Sequence, residues 1–175
     1  MNYFATPVSS IESFDNYNKT VIKGINLSIA GDLEPSILKH KTVTDRIRLW
    51  GIKGDKRTRW DKAKKGDILF FYHNKFIVSY CIILDKFESN KLAESLWGSF
   101  ESVHYAKFTW PLIFILTEPI LCHIPFEIFN KIIGYNDNYF LRSFFKLSDK
   151  FAYHIENNFI NVNEFAKKES VPTLT

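Results

Sequence analysis

The residues best suited to binding chemistry form a strongly basic stretch between Lys39 and Lys65. This stretch carries eleven Lys and Arg residues against three Asp, a net charge of +8, although the whole chain of 175 residues has a net charge of only +4. Trp50 and Trp60 lie within it. A localised basic surface with aromatic side chains is typical of proteins that bind a polyanion carrying flat bases.

We therefore predict that cations of this stretch contact phosphate groups. Arginine can hold a phosphate through two hydrogen bonds, whereas lysine contributes a salt-dependent attraction. A solvated surface is the ordinary role of a charge run, but the imbalance of eleven to three favours phosphate contact. The residues predicted to bind phosphate are Lys53, Lys56, Arg57, Arg59, Lys62, Lys64 and Lys65, together with Arg142 farther along the chain. For Trp60 we predict a packing role beneath the basic face.

The sequence lacks the residue patterns of an enzyme or a metal site. The five histidines are His40, His73, His104, His123 and His154. They are scattered, without the H-x-x-x-H or C-x-x-C spacing that indicates zinc. Neither the G-x-S-x-G turn of a serine nucleophile nor the G-x-x-x-x-G-K-[ST] loop of a nucleotide-driven motor is present. We expect no catalytic activity, no metal and no cofactor in this chain.

The elements that must position the basic stretch are predicted from apolar periodicity, caps and turn residues. The predicted strands are Tyr3–Val8, Ile68–Tyr72, Phe76–Leu84 and Phe108–Leu116, and the predicted helices are Ser9–Lys23, Asn90–Gly98 and Pro125–Gly134. Ser9 and Glu12 form the pattern of a capping box at the start of the first helix. Residues 60–65 are predicted as a single helical turn, and residues 39–48 are compatible with a strand or a helix.

The order of these elements indicates an α+β fold. Residues 73–75 have the length of a hairpin loop, which favours antiparallel pairing of the flanking strands. We expect a small twisted, mostly antiparallel β-sheet or barrel flanked by short helices. Residues 1–160 are predicted as one domain, and residues 161–175, which are mostly polar, as a linker or tail.

The composition predicts a cytoplasmic protein without a membrane segment. Cys81 and Cys122 each lie in an apolar run, which favours buried free thiols in a reducing compartment. Residues 1–10 lack the pattern of a secretory signal. The most apolar stretch, Trp110–Phe126, is too short and too interrupted by proline to span a bilayer.

With its elements in this order, the chain resembles the PUA-like superfamily and, within it, the EVE and YTH modules. It is most similar to the N-terminal domains of McrB-type proteins from modification-dependent restriction systems. The resemblance covers about residues 1–147. The residues that carry it are Leu49–Gly51, Lys65–Tyr72, Leu92–Gly98, Trp110–Phe114, Ile132–Tyr135 and Leu141–Phe144.

The resemblance implies a DNA-binding domain that reads a modified, for example methylated, base flipped into an aromatic pocket. Cleavage would then belong to other parts of an antiviral restriction complex, with an oligomeric AAA+ motor attached at the tail and a nuclease as partner. Two other functions are compatible with the sequence: an RNA reader of the same superfamily, and a protein-interaction module whose basic face binds an acidic partner.

By the same resemblance, Trp50 and Trp97 correspond to the pocket tryptophans of the YTH-type readers. A base held between two indoles gains about 1–3 kcal/mol per stacked base, comparable to the cost of extruding it from a duplex. The alternative is that both side chains belong to the core, as most tryptophans do. Polar contacts to the base edge are expected from Thr6, Ser9 and Ser10, although a helix cap is a competing role for Ser9.

Overall fold

The protein has an α+β fold with a mostly antiparallel β-sheet flanked by helices, as the sequence predicts. The structure is a computed structural model that describes residues 1–40, 44–98, 100–102, 105–136 and 138–172. Lys41 and His104 therefore lie outside the described residues. The strands are β1 (Tyr3–Pro7), β2 (Ile25–Asn26), β3 (Arg46–Ile52), β4 (Ile68–His73), β5 (Phe76–Glu88), β6 (Phe100–Ser102), β7 (Tyr105–Phe108), β8 (Leu112–Leu116), β9 (Ile120–Pro125) and β10 (Phe145–Lys146). The α-helices are α1 (Ile11–Tyr17), α2 (Leu27–Leu33), α3 (Arg57–Trp60), α4 (Asn90–Trp97), α5 (Phe126–Ile133), α6 (Asp149–Asn158) and α7 (Val162–Glu169).

The chain divides into two compact units. The first unit contains residues 1–14, 66–82 and 119–175, and the second unit contains residues 15–65 and 83–118. Strand β5 contributes its first half to the first unit and its second half to the second unit. Among the described residues, none of the helices combines the length and the apolar character of a membrane-spanning segment.

The first unit is built around β1 and β4, which pair in parallel. Strand β10 pairs with β1, and the first half of β5 pairs with β4 and β9, all antiparallel. The β4–β5 hairpin turns at Asn74 and Lys75, with φ of 45° and 72°, and two positive φ values match a type I′ turn. Phe70 packs edge-on against Phe129 and Phe151 in the core, with ring centroids 5.2 and 5.9 Å apart.

The second unit is built around β3, which pairs antiparallel with β8 and β2. Strand β8 also pairs with the second half of β5. The sequence is compatible with either a strand or a helix at residues 39–48. In the structure a 3-10 helix spans Pro35–Lys39 and strand β3 begins at Arg46, so the last three residues of the segment form a strand.

Helix α1 begins at Ile11, two residues after the predicted start at Ser9. The capping pair is Ser10 with Ser13, whose backbone N–H groups each donate to the other's hydroxyl at 3.1 Å. The prediction that Ser9 and Glu12 form this box was wrong. Helix α1 ends at Tyr17, and the chain continues as a π-helical turn over Asn18–Ile22.

Residues 161–172, predicted from their polarity as a linker or tail, instead pack as part of the first unit. Asn161 caps α7 by accepting from the N–H groups of Asn163 and Glu164. Phe165 is completely buried in the core of the first unit. Beyond the helix, the N–H of Val171 donates to the carbonyl of His123 at 2.9 Å.

Candidate nucleic-acid interface

The basic residues 53–65, hereafter the basic loop, follow β3 directly and expose most of their cations. A 3-10 turn (Gly54–Lys56) leads into α3, which begins three residues before the helical turn predicted at residues 60–65. Trp60 and Ala63 are buried, and the centroid of the Trp60 ring lies 6.1 Å from that of Phe114. Trp60 is therefore the packing anchor of the loop, as predicted. Lys56 is half-buried, whereas the other predicted phosphate ligands of the loop are exposed.

Two residues of β5, Lys86 and Glu88, contact the basic loop and hold it in place. The ammonium group of Lys86 donates to the backbone carbonyls of Trp60 and Asp61, each at 2.9 Å. It also lies 4.5 Å from the centroid of the Trp60 ring. Glu88, two residues farther along the strand, accepts from Arg57 at 2.6 Å. No local pattern in the sequence marks either residue, because both act through contacts with a distant segment.

The first part of the basic stretch has a structural role instead. Arg46 donates to the carbonyls of Lys23 and Gly24, which close the π-helical turn. Arg48 is mostly buried and pairs with Glu118 at 2.9 Å. Asp85 accepts from Lys39 at 2.8 Å and from His40 at 3.0 Å, and these hydrogen bonds lower the pKa of its carboxyl group against the opposing effect of burial. The exposed cations of the basic stretch are therefore concentrated in residues 53–65.

Arg142, the remaining predicted phosphate ligand, belongs to the first unit. It is exposed, and its guanidinium carbon lies 4.7 Å from the centroid of the Phe140 ring.

Trp50 and Trp97, the predicted pocket residues, are 7% and 6% exposed and lie on opposite faces of β3. A Cβ atom added to Gly51 would lie 2.6 Å from Cζ3 of Trp97, so Trp97 covers the face to which Gly51 points. Trp50 is paired in register with Phe114 on the other face, because successive residues of a strand alternate in direction. The predicted sandwich of a base between these two indoles is not formed in this arrangement.

Trp97 is held in place by both ends of α4. At the start of the helix, the Ser89 hydroxyl accepts from the N–H of Leu92 at 3.3 Å. At its end, Gly98 has φ of 75° and ψ of −173°, a backbone conformation that is essentially restricted to glycine. The Thr109 hydroxyl donates to the Gly98 carbonyl, and the Lys19 ammonium donates to the Leu96 carbonyl.

The indole N–H of Trp97 is buried and has no hydrogen-bond partner among the described residues. A buried donor without a partner costs about 1–3 kcal/mol. Trp110 lies against the same glycine, since a Cβ on Gly51 would be 2.7 Å from its backbone oxygen, and it is half-buried. The structure leaves Trp110 more accessible than Trp50 or Trp97. Gly51, Trp97 and Trp110 together form what we call the indole cluster.

The three polar residues predicted to read a base edge differ in accessibility. Thr6 is buried in β1, where it is paired in register with Phe71. Ser10 is exposed, but its hydroxyl is engaged with Ser13 as the helix cap. Ser9 is exposed and makes no side-chain hydrogen bond among the described residues.

No group of three or more His, Cys, Asp or Glu residues within the described parts of the chain could hold a metal ion. Both cysteines are free thiols, with Cys81 buried and Cys122 partly buried. Burial raises the pKa of the Cys122 thiol to about 12, so this thiol stays protonated and unreactive near neutral pH.

No family model and no curated protein match the sequence. Among solved structures, the N-terminal domain of McrB from Thermococcus gammatolerans, bound to m5C DNA, aligns with a TM-score of 0.66 and 20% identity over 90% of this chain and 98% of that chain. A variant of ZmASCH from Zymomonas mobilis aligns with a TM-score of 0.47 and 10% identity over 90% and 99% of the two chains. The YTH domain of Pho92 in complex with m6A aligns with a TM-score of 0.46 and 14% identity over 89% and 84%. The likeness to the McrB domain confirms, at the level of fold, the resemblance identified from the sequence.

Proposed function

We propose that this chain is a nucleic-acid-binding domain that binds duplex DNA and discriminates a methylated base. The observation that carries the proposal is the basic loop, which exposes most of its cations and is anchored by the buried Trp60 and by Lys86. An exposed cluster of Lys and Arg binds the phosphate backbone by releasing counterions, independently of sequence. The fold shared with an McrB domain that was solved bound to m5C DNA supports the choice of DNA.

We assign discrimination of the base to the indole cluster. Gly51 leaves a flat space that the Trp97 ring fills in the free protein, and displacement of this ring would admit another flat group. The unpartnered indole N–H of Trp97 would donate to an acceptor on the base. Stacking on an aromatic side chain contributes about 1–3 kcal/mol per base, which offsets the cost of extruding the base from a duplex.

Trp50 takes a different part in this proposal, because it lies on the other face of β3. Its register partner Phe114 contacts Trp60, so Trp50 belongs to the layer that supports the basic loop. In a restriction system, such a domain would select the target, and separate components would supply nucleotide hydrolysis and cleavage.

Three labelled probes, titrated with the protein at one salt concentration, test the proposal. They are a duplex containing one m5C, the same duplex without the methyl group, and a single-stranded RNA of matched length containing m6A. We expect the tightest binding to the m5C duplex and measurable binding to the unmodified duplex. Equal affinity for the two duplexes would contradict discrimination of the methylated base. Preference for the RNA would identify the chain as an RNA reader. Absence of binding to all three probes would favour a protein partner for the basic loop.

A further inference from the structure

The segment between α5 and β10 exposes three aromatic side chains close together. Tyr135, Tyr139 and Phe140 are 44%, 41% and 51% exposed. The rings of Tyr135 and Tyr139 are in contact, with centroids 4.8 Å apart, and Phe140 follows directly in the chain. We call these three residues the aromatic platform. Aromatic side chains are usually buried, so three exposed rings in one short segment indicate a binding surface.

The backbone of the platform is fixed by hydrogen bonds. The side-chain amide of Asn130, which is buried, donates to the carbonyl of Tyr139 at 2.9 Å. The N–H of Tyr135 donates to the carbonyl of Asn130, and the N–H of Tyr139 donates to the carbonyl of Asn136. Tyr135 and Tyr139 are thus each held by hydrogen bonds of their backbone groups, which lowers the entropy lost when a ligand binds.

A cation lies at each end of the platform. The guanidinium group of Arg142 stacks over the Phe140 ring. At the other end, the ammonium group of Lys150 lies 4.0 Å from the position of a Cβ atom on Gly134, the residue before Tyr135. Within the described part of the chain, neither cation forms an ion pair, whereas the neighbouring Asp149 is paired with Lys146 at 3.2 Å.

We propose that the aromatic platform binds unpaired nucleotides, with the bases stacked on its rings and the phosphates held by Arg142 and Lys150. Exposed rings bordered by cations are the combination that binds single strands without regard to sequence. This inference rests on the proposed function, to which it adds a site for unpaired strands on the first unit.

A second copy of the chain fits this surface less well. A stable interface buries about 800 Å² on each partner. An aromatic side chain buries about 150–250 Å² in total, and roughly half of each platform ring is already covered, so the three rings offer about 300 Å². A symmetric contact would also bring the Arg142 end of one platform toward the Lys150 end of the other, and like charges repel.

The test compares a blunt duplex with the same duplex extended by a single-stranded tail of about eight thymidines, a length within the usual range of single-strand sites. The variant Y135S/Y139S/F140S removes all three rings. The matched control Y135F/Y139F keeps the π-faces and loses only the hydroxyl groups. A second control, L121S/I160S, removes exposed apolar side chains elsewhere in the first unit.

We expect the tail to raise the affinity of the wild-type chain about tenfold or more, the equivalent of one or two stacked bases. The serine variant should lose this gain and keep its affinity for the blunt duplex, and both controls should retain the gain. A tail without effect, or a serine variant that keeps the gain, would overturn the proposal while leaving the proposed function intact. If the wild-type chain binds free oligothymidine but no duplex, the proposed function fails and the proposal for the aromatic platform stands. Self-association of the wild type that the serine variant abolishes would reassign the platform to a protein interface.

Discussion

The ammonium group of Lys86 lies over the Trp60 ring, 4.5 Å from its centroid, and donates to the Trp60 carbonyl at 2.9 Å. The same nitrogen donates to the carbonyl of Asp61, and these two carbonyls belong to the end of α3. One side chain of β5 therefore fixes both the short helix and the aromatic anchor of the basic loop. The geometry of the basic loop therefore depends on a residue that lies outside the loop in the sequence.

Replacement of Lys86 by methionine should destabilise the fold and weaken DNA binding together. Hydrogen bonds from a charged donor contribute about 1.5–3 kcal/mol, and we expect the free energy of unfolding to fall by an amount in this range. Lys91→Met is the matched control, because it removes an exposed lysine from α4 in the same unit and should change stability by less than about 0.5 kcal/mol. Urea denaturation measures the free energy of unfolding of both variants. Equal free energies of unfolding for Lys86→Met and Lys91→Met would show that Lys86 does not support the loop.

Gly51 and Gly54 give a second matched pair. A Cβ atom on Gly51 would lie 2.6 Å from the Trp97 ring and 2.7 Å from the backbone oxygen of Trp110, whereas a Cβ on Gly54 meets nothing within 4 Å. We expect Gly51→Ala to lower the free energy of unfolding by about 1–3 kcal/mol, as overpacking does. Gly54→Ala should be neutral or slightly stabilising. A neutral Gly51→Ala in thermal and urea unfolding would contradict the tight packing of Trp97 on this glycine.

Because Trp50 and Trp97 lie on opposite faces of β3, the same substitution at the two positions should change DNA binding in different ways. Trp97→Leu removes the π-face of the indole cluster, so the ratio of affinities for m5C and unmodified duplexes should approach one, and Trp97→Phe should keep part of it. Trp50→Leu should weaken binding to both duplexes in proportion, because it disturbs the layer beneath the basic loop. Circular dichroism must first establish that each variant folds, since truncation of a buried tryptophan to alanine costs about 3–5 kcal/mol. Identical affinity ratios in the two leucine variants would contradict this division of roles.

The free energy of unfolding should fall at alkaline pH, because two buried groups of the first unit ionise more readily in the unfolded chain. Burial raises the pKa of the Cys122 thiol from 9.0 to about 12, and that of Tyr80 from 10.0 to about 12. Because the folded state favours the protonated forms, this stabilisation is complete below about pH 9 and is lost as the pH rises toward 12. Cys122→Ala should show a shallower decline between pH 9 and 12 than the wild type in denaturant titrations. Parallel declines in the two proteins would show that this thiol does not contribute.

Local patterns in the sequence predicted much of the fold. The hairpin at residues 73–75, the end of α4 at Gly98 and the anchoring role of Trp60 each depend on neighbouring residues and were identified correctly. Helix α7 was missed because its polar residues outnumber its two buried side chains, Phe165 and Ala166.

The arrangement of the candidate site could not be predicted in the same way. Lys86 and Glu88 contact the basic loop across more than twenty positions of sequence, and no local pattern marks them. Trp50 and Trp97 lie on opposite faces of β3 because Trp97 of α4 packs on the face of Gly51, the residue next to Trp50. No local pattern marks which face of a strand a distant helix covers. Arg46 and Arg48 were counted with the basic stretch, although their hydrogen bonds serve the fold.

The salt dependence of duplex binding tests the central claim most directly. Each phosphate contact contributes about −0.9 to the slope of the logarithm of the binding constant against the logarithm of the salt concentration. The test variant K53A/K56A/R57A/R59A removes four cations of the basic loop. The control variant K91A/K131A/K167A/K168A removes four exposed lysines outside the basic loop and the aromatic platform.

We predict a steep negative slope for the wild type and the control, and a slope that is shallower by up to about 3.6 for the variant of the basic loop, with weaker binding to every duplex tested. An unchanged slope in that variant would contradict the account, because it would mean that the basic loop does not contact the nucleic acid.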